Sequence, residues 1–182
     1  MIEYLFYGVG DSSEMKVWVI AGVLLGNLIV QSALFPFIEV YGVRPDSLMV
    51  LVISFALLAG NPTSAVVGLC GGLLQDILFG QNIGFYAMQY MLAGYLVGLV
   101  YGKVFVGKVL IPVFFVGIAI IFRGLFTFLW IYFSGADISL YRTLLRVILP
   151  EMLYTVIVTP IIYYYMDKLY KHKFMNWRWH FD

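Results

Sequence analysis

Apolar residues run through this chain in long blocks, and polar or charged residues gather between the blocks rather than alternating within them. A bilayer core of roughly 30 Å takes about 20 residues of helix. Runs of that kind predict helices over about 17–35, 46–60, 63–80, 84–102, 109–133 and 146–166. Only "GNPT" separates the second run from the third, and there Gly60 and Pro62 break the helix and reverse the chain. Both runs are short for a crossing, so the second is read either as partly re-entrant or as starting within the loop around "GVRPD". The pattern predicts an all-α integral membrane protein, a single transmembrane domain of six helices over residues 1–182. Residues 167–182 form a basic and aromatic tail.

Composition strengthens this picture. Hydrophobic residues make up 63% of the 182 and charged residues 12%, with a mean hydropathy of +0.94, far above an ordinary soluble domain. The formal net charge is +1, and no basic block is large enough to neutralise a run of phosphates, which argues against a nucleic-acid partner. Cys70 is the only cysteine and lies in an apolar run. An internal disulfide is excluded, and Cys70 reads as a small buried apolar residue rather than a metal ligand. The N-terminal "MIEYLFYGVGDSSEMK" is acidic, and the apolar run after it ends without a small-residue cleavage site. The first helix is therefore expected to stay as an anchor.

Lysine and arginine in the short loops set the expected orientation. Lys16, Lys103, Lys108, Lys168, Lys171, Lys173 and Arg178 fall on the side of the two termini, and Arg44, Arg142 and Arg146 on the other. The excess places both termini in the cytoplasm. Trp18 and Tyr163 to Tyr165 are expected at the cytoplasmic interface, and Trp130 and Tyr132 at the opposite one. The tail "DKLYKHKFMNWRWHFD" suits the lipid headgroup layer. Its His172 and His180, the only histidines, read as solvated tail residues.

Small residues form ladders. Ser64, Gly68, Gly72, Asp76 and Gly80 recur every four residues and share one face of the third helix. Gly94, Gly98 and Gly102 repeat the device in the fourth, and Gly22 and Gly26 in the first. Such stripes let membrane helices approach closely, either for internal packing or as a face for a partner's helix. Asp76 lies on the glycine face and so is expected to point toward protein. Arg123 lies at a comparable depth in the fifth helix, and depth alone suggests an Asp76–Arg123 pair. Asn27, Gln31, Gln89 and Glu151 complete the intramembrane polar set, all placed in the middle or outer half. The inner halves look nearly pure hydrocarbon. This predicts an outward polar crevice above a sealed cytoplasmic side. Snorkelling to headgroups explains Gln31, Gln89 and Glu151 as well as a crevice does.

Most enzyme classes find no support. No histidine falls in a predicted membrane helix, so neither a metalloprotease motif nor a Ser-His dyad assembles there. An intramembrane aspartyl protease needs two facing carboxylates, and only Asp76 sits deep. There is no Walker motif, and no metal or cofactor is called for.

The stretch "RPDSLMVLVISFALLAGNPTSAVVGLCGGLLQDILFGQNIGFYAMQYMLAGYLVG", residues 44 to 98, resembles the core of the MreD family of bacterial rod shape-determining membrane proteins. Pro45 and Asp46 before the second helix, Gln75 and Asp76 in "GGLLQDILFG", Gly84 opening the fourth helix and "GYLVG" within it carry the likeness. "VQSALFPFIEVYGV" before them fits as well, so the resemblance covers roughly residues 27 to 102. It assigns no role to Arg123 or Glu151. The resemblance implies a bundle similar to the substrate-binding S-components of energy-coupling-factor vitamin transporters. It also implies a multi-pass place in the bacterial cytoplasmic membrane, within the cell-wall elongation machinery. The partners implied are MreC, RodA and a class B penicillin-binding protein, with MreB indirectly, beside membrane lipids. In that reading the chain is a non-catalytic scaffold or regulator. The alternative is a subunit that binds a small solute for a transporter.

Overall fold

The computed structural model describes residues 3–33, 37, 39, 42–79, 83–103, 110–135 and 139–170, without the side chains of 3–16. Gly80, Lys108 and the tail beyond Tyr170, with His172, His180, Lys171, Lys173 and Arg178, lie outside them. Among the described residues the secondary structure is all helical. Six helices follow one another: α1 (Glu3–Ala33), α2 (Ser47–Ala59), α3 (Thr63–Phe79), α4 (Phe85–Gly98), α5 (Leu110–Phe133) and α6 (Leu140–Tyr170).

The second helix is the hub. Every residue of α2 from Ser47 to Leu58 is buried, including Met49, Val52 and Phe55 at zero exposure. A helix apolar on all sides has no face to give to water. Here α3, α4, α5 and α6 all pack around it. The helix starts at Asp46, whose side chain accepts from the Met49 N–H at 2.9 Å, and it stops at Gly60, where φ is +71° and the N–H reaches back to Phe55 and Ala56.

Length separates the helices. Among the described residues, α5 and α6 are both long and apolar enough to cross a membrane, while Val17–Ala33, Ser47–Ala59 and Thr63–Phe79 are shorter apolar helices. At 1.5 Å per residue, α2 is about 20 Å long, short of a bilayer core but walled off by protein along its whole length. Two further boundaries differ from the hydropathy reading. The first helix begins at Glu3 rather than near 17, because extending an existing helix costs far less than nucleating one. The last begins at Leu140 rather than 146 and carries a π turn over Leu144–Ile148.

Two details correct the sequence reading, and the packing of the tyrosines refines it. Cys70 is exposed on α3 rather than buried, since the helix faces α4 through the opposite, glycine-bearing side. Tyr163 packs into the core, while Tyr164 and Tyr165 are exposed; three consecutive helical residues cannot share one face. Nor is the end of the bundle around Asn61 pure hydrocarbon. Asn61 Nδ2 donates to the Tyr95 carbonyl, and the Ser64 hydroxyl contacts Asn61 Oδ1 and the Gly94 carbonyl, each at 2.9 Å.

Candidate functional site

Helices α3 and α4 meet backbone to backbone. A Cβ on Gly68 would lie 2.4 Å from the Tyr90 carbonyl oxygen, and one on Gly72 2.4 Å from the Ala87 Cα. From the other side, a Cβ on Gly94 would lie 2.6 Å from the Ser64 carbonyl oxygen, and one on Gly98 2.4 Å from Asn61 Oδ1. These glycines are consumed inside the hairpin, leaving none of the four as a face for a partner. Gly102 does not belong with them. It sits beyond α4 in a turn at φ +76°, with no described residue within 4 Å of where a Cβ would lie.

Asp76 closes the hairpin. Its carboxylate accepts from the backbone N–H groups of Gly84 (2.9 Å), Tyr86 (3.0 Å) and Ala87 (3.0 Å). These amides open α4, where no preceding turn can accept their bonds and the helix dipole favours an anion. Gly84 turns into that position at φ +96°, a backbone conformation that other residues adopt only under strain. The expected Asp76–Arg123 pair does not form. Depth placed the two side by side, but the opening amides of α4 lie within reach of Asp76 and donate to both its oxygens.

Arg123 joins a different set of residues. Its Nη2 donates to Glu151 Oε1 on α6, and its Nε lies 3.4 Å from Asp46 Oδ2. That Nε makes no aligned hydrogen bond. Asp46 Oδ2 also accepts from the Tyr90 hydroxyl at 2.8 Å, and the Asp46 N–H donates to Thr155 Oγ1 at 3.0 Å. One cluster thus pins the start of α2 to α4, α5 and α6. Glu151 and Thr155, four residues apart, present one face of α6 to it. A guanidinium away from water requires such partners, because an unpaired charge there is costly.

The cluster forms one wall of a cavity of about 570 Å³. Gln31 from α1, Gln75 and Phe79 from α3, Tyr86 from α4, Thr127 and Phe128 from α5, and Thr143 and Ile148 from α6 also line it. The helices alternate in direction, so all of these residues fall at one end of the bundle. Arg44 and Glu39, paired at 2.6 Å, line it too. Of the polar residues expected here, Gln31, Arg123 and Glu151 meet in this cavity. Gln89 is buried instead, with Nε2 3.3 Å from Thr127 Oγ1. Asn27 lies outside the cavity lining, with its Nδ2 buried and unpartnered.

Sequence reasoning missed three participants. Asp46 was singled out only as part of a motif, although an aspartate just ahead of an apolar run is a helix-start signal. Tyr90 and Thr155 gave no signal, because a hydroxyl on a membrane helix becomes informative only when its neighbour is known.

Residues 12–173 match the family of rod shape-determining protein MreD. The chain belongs to the MreD family. The match extends past the stretch of sequence resemblance to include α5 and α6, and so takes in Arg123 and Glu151. An MreD chain is a rod shape-determining membrane protein, and the family is not known as one of enzymes. No curated protein and no solved structure matches the chain.

Proposed function

We propose that this MreD chain is a non-catalytic scaffold of the bacterial cell-wall elongation complex, multi-pass in the cytoplasmic membrane, with six membrane helices and both termini inside. It binds MreC and the pair of RodA and a class B penicillin-binding protein. The observation that carries this reading is the family match over residues 12–173. The build of the molecule agrees with it: a hub helix buried on all sides and a single charge cluster that ties four helices into one body. In the proposed orientation the cavity opens to the outside, where wall synthesis takes place. The glycines of the α3–α4 hairpin then act on partners only by fixing the bundle's shape.

Isolation of the tagged protein from its own membranes in mild detergent tests the reading. Recovery of MreC, RodA or a penicillin-binding protein supports it. Recovery of a transmembrane coupling subunit with paired ATPases would favour the solute-binding alternative, for which the cavity of about 570 Å³ is the one favourable observation. In rod-shaped cells that depend on this chain, Asp76→Ala should give round or lysing cells while the protein still inserts. Normal shape would count against a scaffold role for the bundle.

A further inference from the structure

The charges around the cavity do not balance. Glu39 and Arg44 neutralise one another, whereas Arg123 is shared between Asp46 and Glu151. With both carboxylates ionised, this trio holds one negative charge too many. Asp46 has further donors in the Met49 N–H and the Tyr90 hydroxyl. Glu151 has Arg123 as its single hydrogen-bond partner among the described residues, through Oε1, which leaves Oε2 without a donor.

Gln75 points the same way independently. It is 8% exposed, lines the same cavity, and its Oε1 has no partner. Gln31 Oε1 across the cavity is likewise unpartnered. Around Glu151 and Gln75 the site therefore holds acceptors without donors and lacks one positive charge, while the unaligned donor Arg123 Nε lies toward Asp46. Phe79 and Phe128 supply apolar and π surface beside these acceptors, a setting that favours an organic cation. The cavity volume falls in the range of small-molecule sites.

We propose that the cavity binds a small primary amine in its ammonium form, seated on Glu151 and Gln75 with its apolar body against Phe79 and Phe128. A free monoamine and the ethanolamine headgroup of a membrane lipid share this chemistry. Either would bring the trio to neutrality and satisfy the orphaned acceptors.

The test uses the full chain in nanodiscs of phosphatidylcholine, which carries no primary amine. Phenethylamine at neutral pH should raise the thermal unfolding midpoint and bind in calorimetry, while the neutral 2-phenylethanol and the anionic 3-phenylpropionate should do neither. Glu151→Gln should weaken phenethylamine binding by about tenfold or more, as expected for loss of a charged hydrogen bond, and Gln75→Leu should weaken it less. In discs that contain phosphatidylethanolamine, a higher midpoint than in phosphatidylcholine alone, lost in Glu151→Gln, would assign the lipid headgroup as the source. Phenethylamine binding without that rise would assign a free amine. Equal responses to the three probes, or none to phenethylamine and phosphatidylethanolamine alike, would overturn the proposal. So would full affinity in both variants. If Glu151→Gln does not fold, the selectivity of the unaltered chain and the Gln75→Leu titration decide. None of these readings depends on which proteins accompany the chain from native membranes, so this proposal and the scaffold reading fail separately.

Discussion

The α3–α4 hairpin and the α5–α6 side of the bundle hold helices together by opposite means. In the hairpin, glycines bring backbones into direct contact, and the one carboxylate present, Asp76, is satisfied by three amides. On the other side, Arg123, Asp46 and Glu151 join helices through charged side chains at the edge of an open cavity. Lipid supplies no hydrophobic drive between helices, so close packing and polar pairing are what remain. The first gives a rigid seam that closes on itself. The second leaves unmet hydrogen-bonding capacity facing an open cavity.

The contrast breaks most severely at Arg123. Arg123→Leu strands two carboxylates and should destabilise the bundle by about 3–5 kcal/mol, measured by thermal or denaturant unfolding in detergent. Adding Asp46→Asn and Glu151→Gln to that variant should restore much of the loss. Failure of the triple variant to recover would mean that the arginine stem, not its charge, does the work. Gly72→Leu comes next, at about 3 kcal/mol, because a side chain there meets the backbone of Ala87 and no rotamer relieves it. Asp76→Asn should cost about 1–2 kcal/mol: the amide retains one acceptor oxygen for the three N–H groups but loses the anion at the start of α4. Tyr90→Phe removes the hydroxyl from Asp46 and should cost about 1 kcal/mol. The smallest effect belongs to Gly22→Ala on α1, where nothing lies within 4 Å. A change within about 0.5 kcal/mol is expected. A large loss at Gly22 would show that α1 is covered by something outside the described residues.

Glycine spacing announced a close-packed face, and the structure places it in the hairpin because α3 and α4 are adjacent in sequence and antiparallel. The same spacing could not tell which glycines were left over. Gly102 fits the four-residue period yet lies in a turn, whereas Gly22 and Gly26 fit it and meet nothing among the described residues. Arg123 was legible as a buried charge needing a partner, but the partner chosen from depth was wrong, and Glu151 read equally well as a snorkelling residue. Residues Asp46 and Arg123 are 77 positions apart in number, and no local pattern connects them.

The sequence by itself determined that the chain is helical and strongly apolar, that α2 and α3 part at Gly60 and Pro62, and that its charges are few enough for each to need a reason. Those properties follow from transfer free energies and backbone geometry, which act residue by residue. Tertiary structure alone decided which helix became the hub, which amides claimed Asp76, and which carboxylates met Arg123. Pairing depends on the lateral order of helices around the bundle, and hydropathy along one chain carries no information about that order.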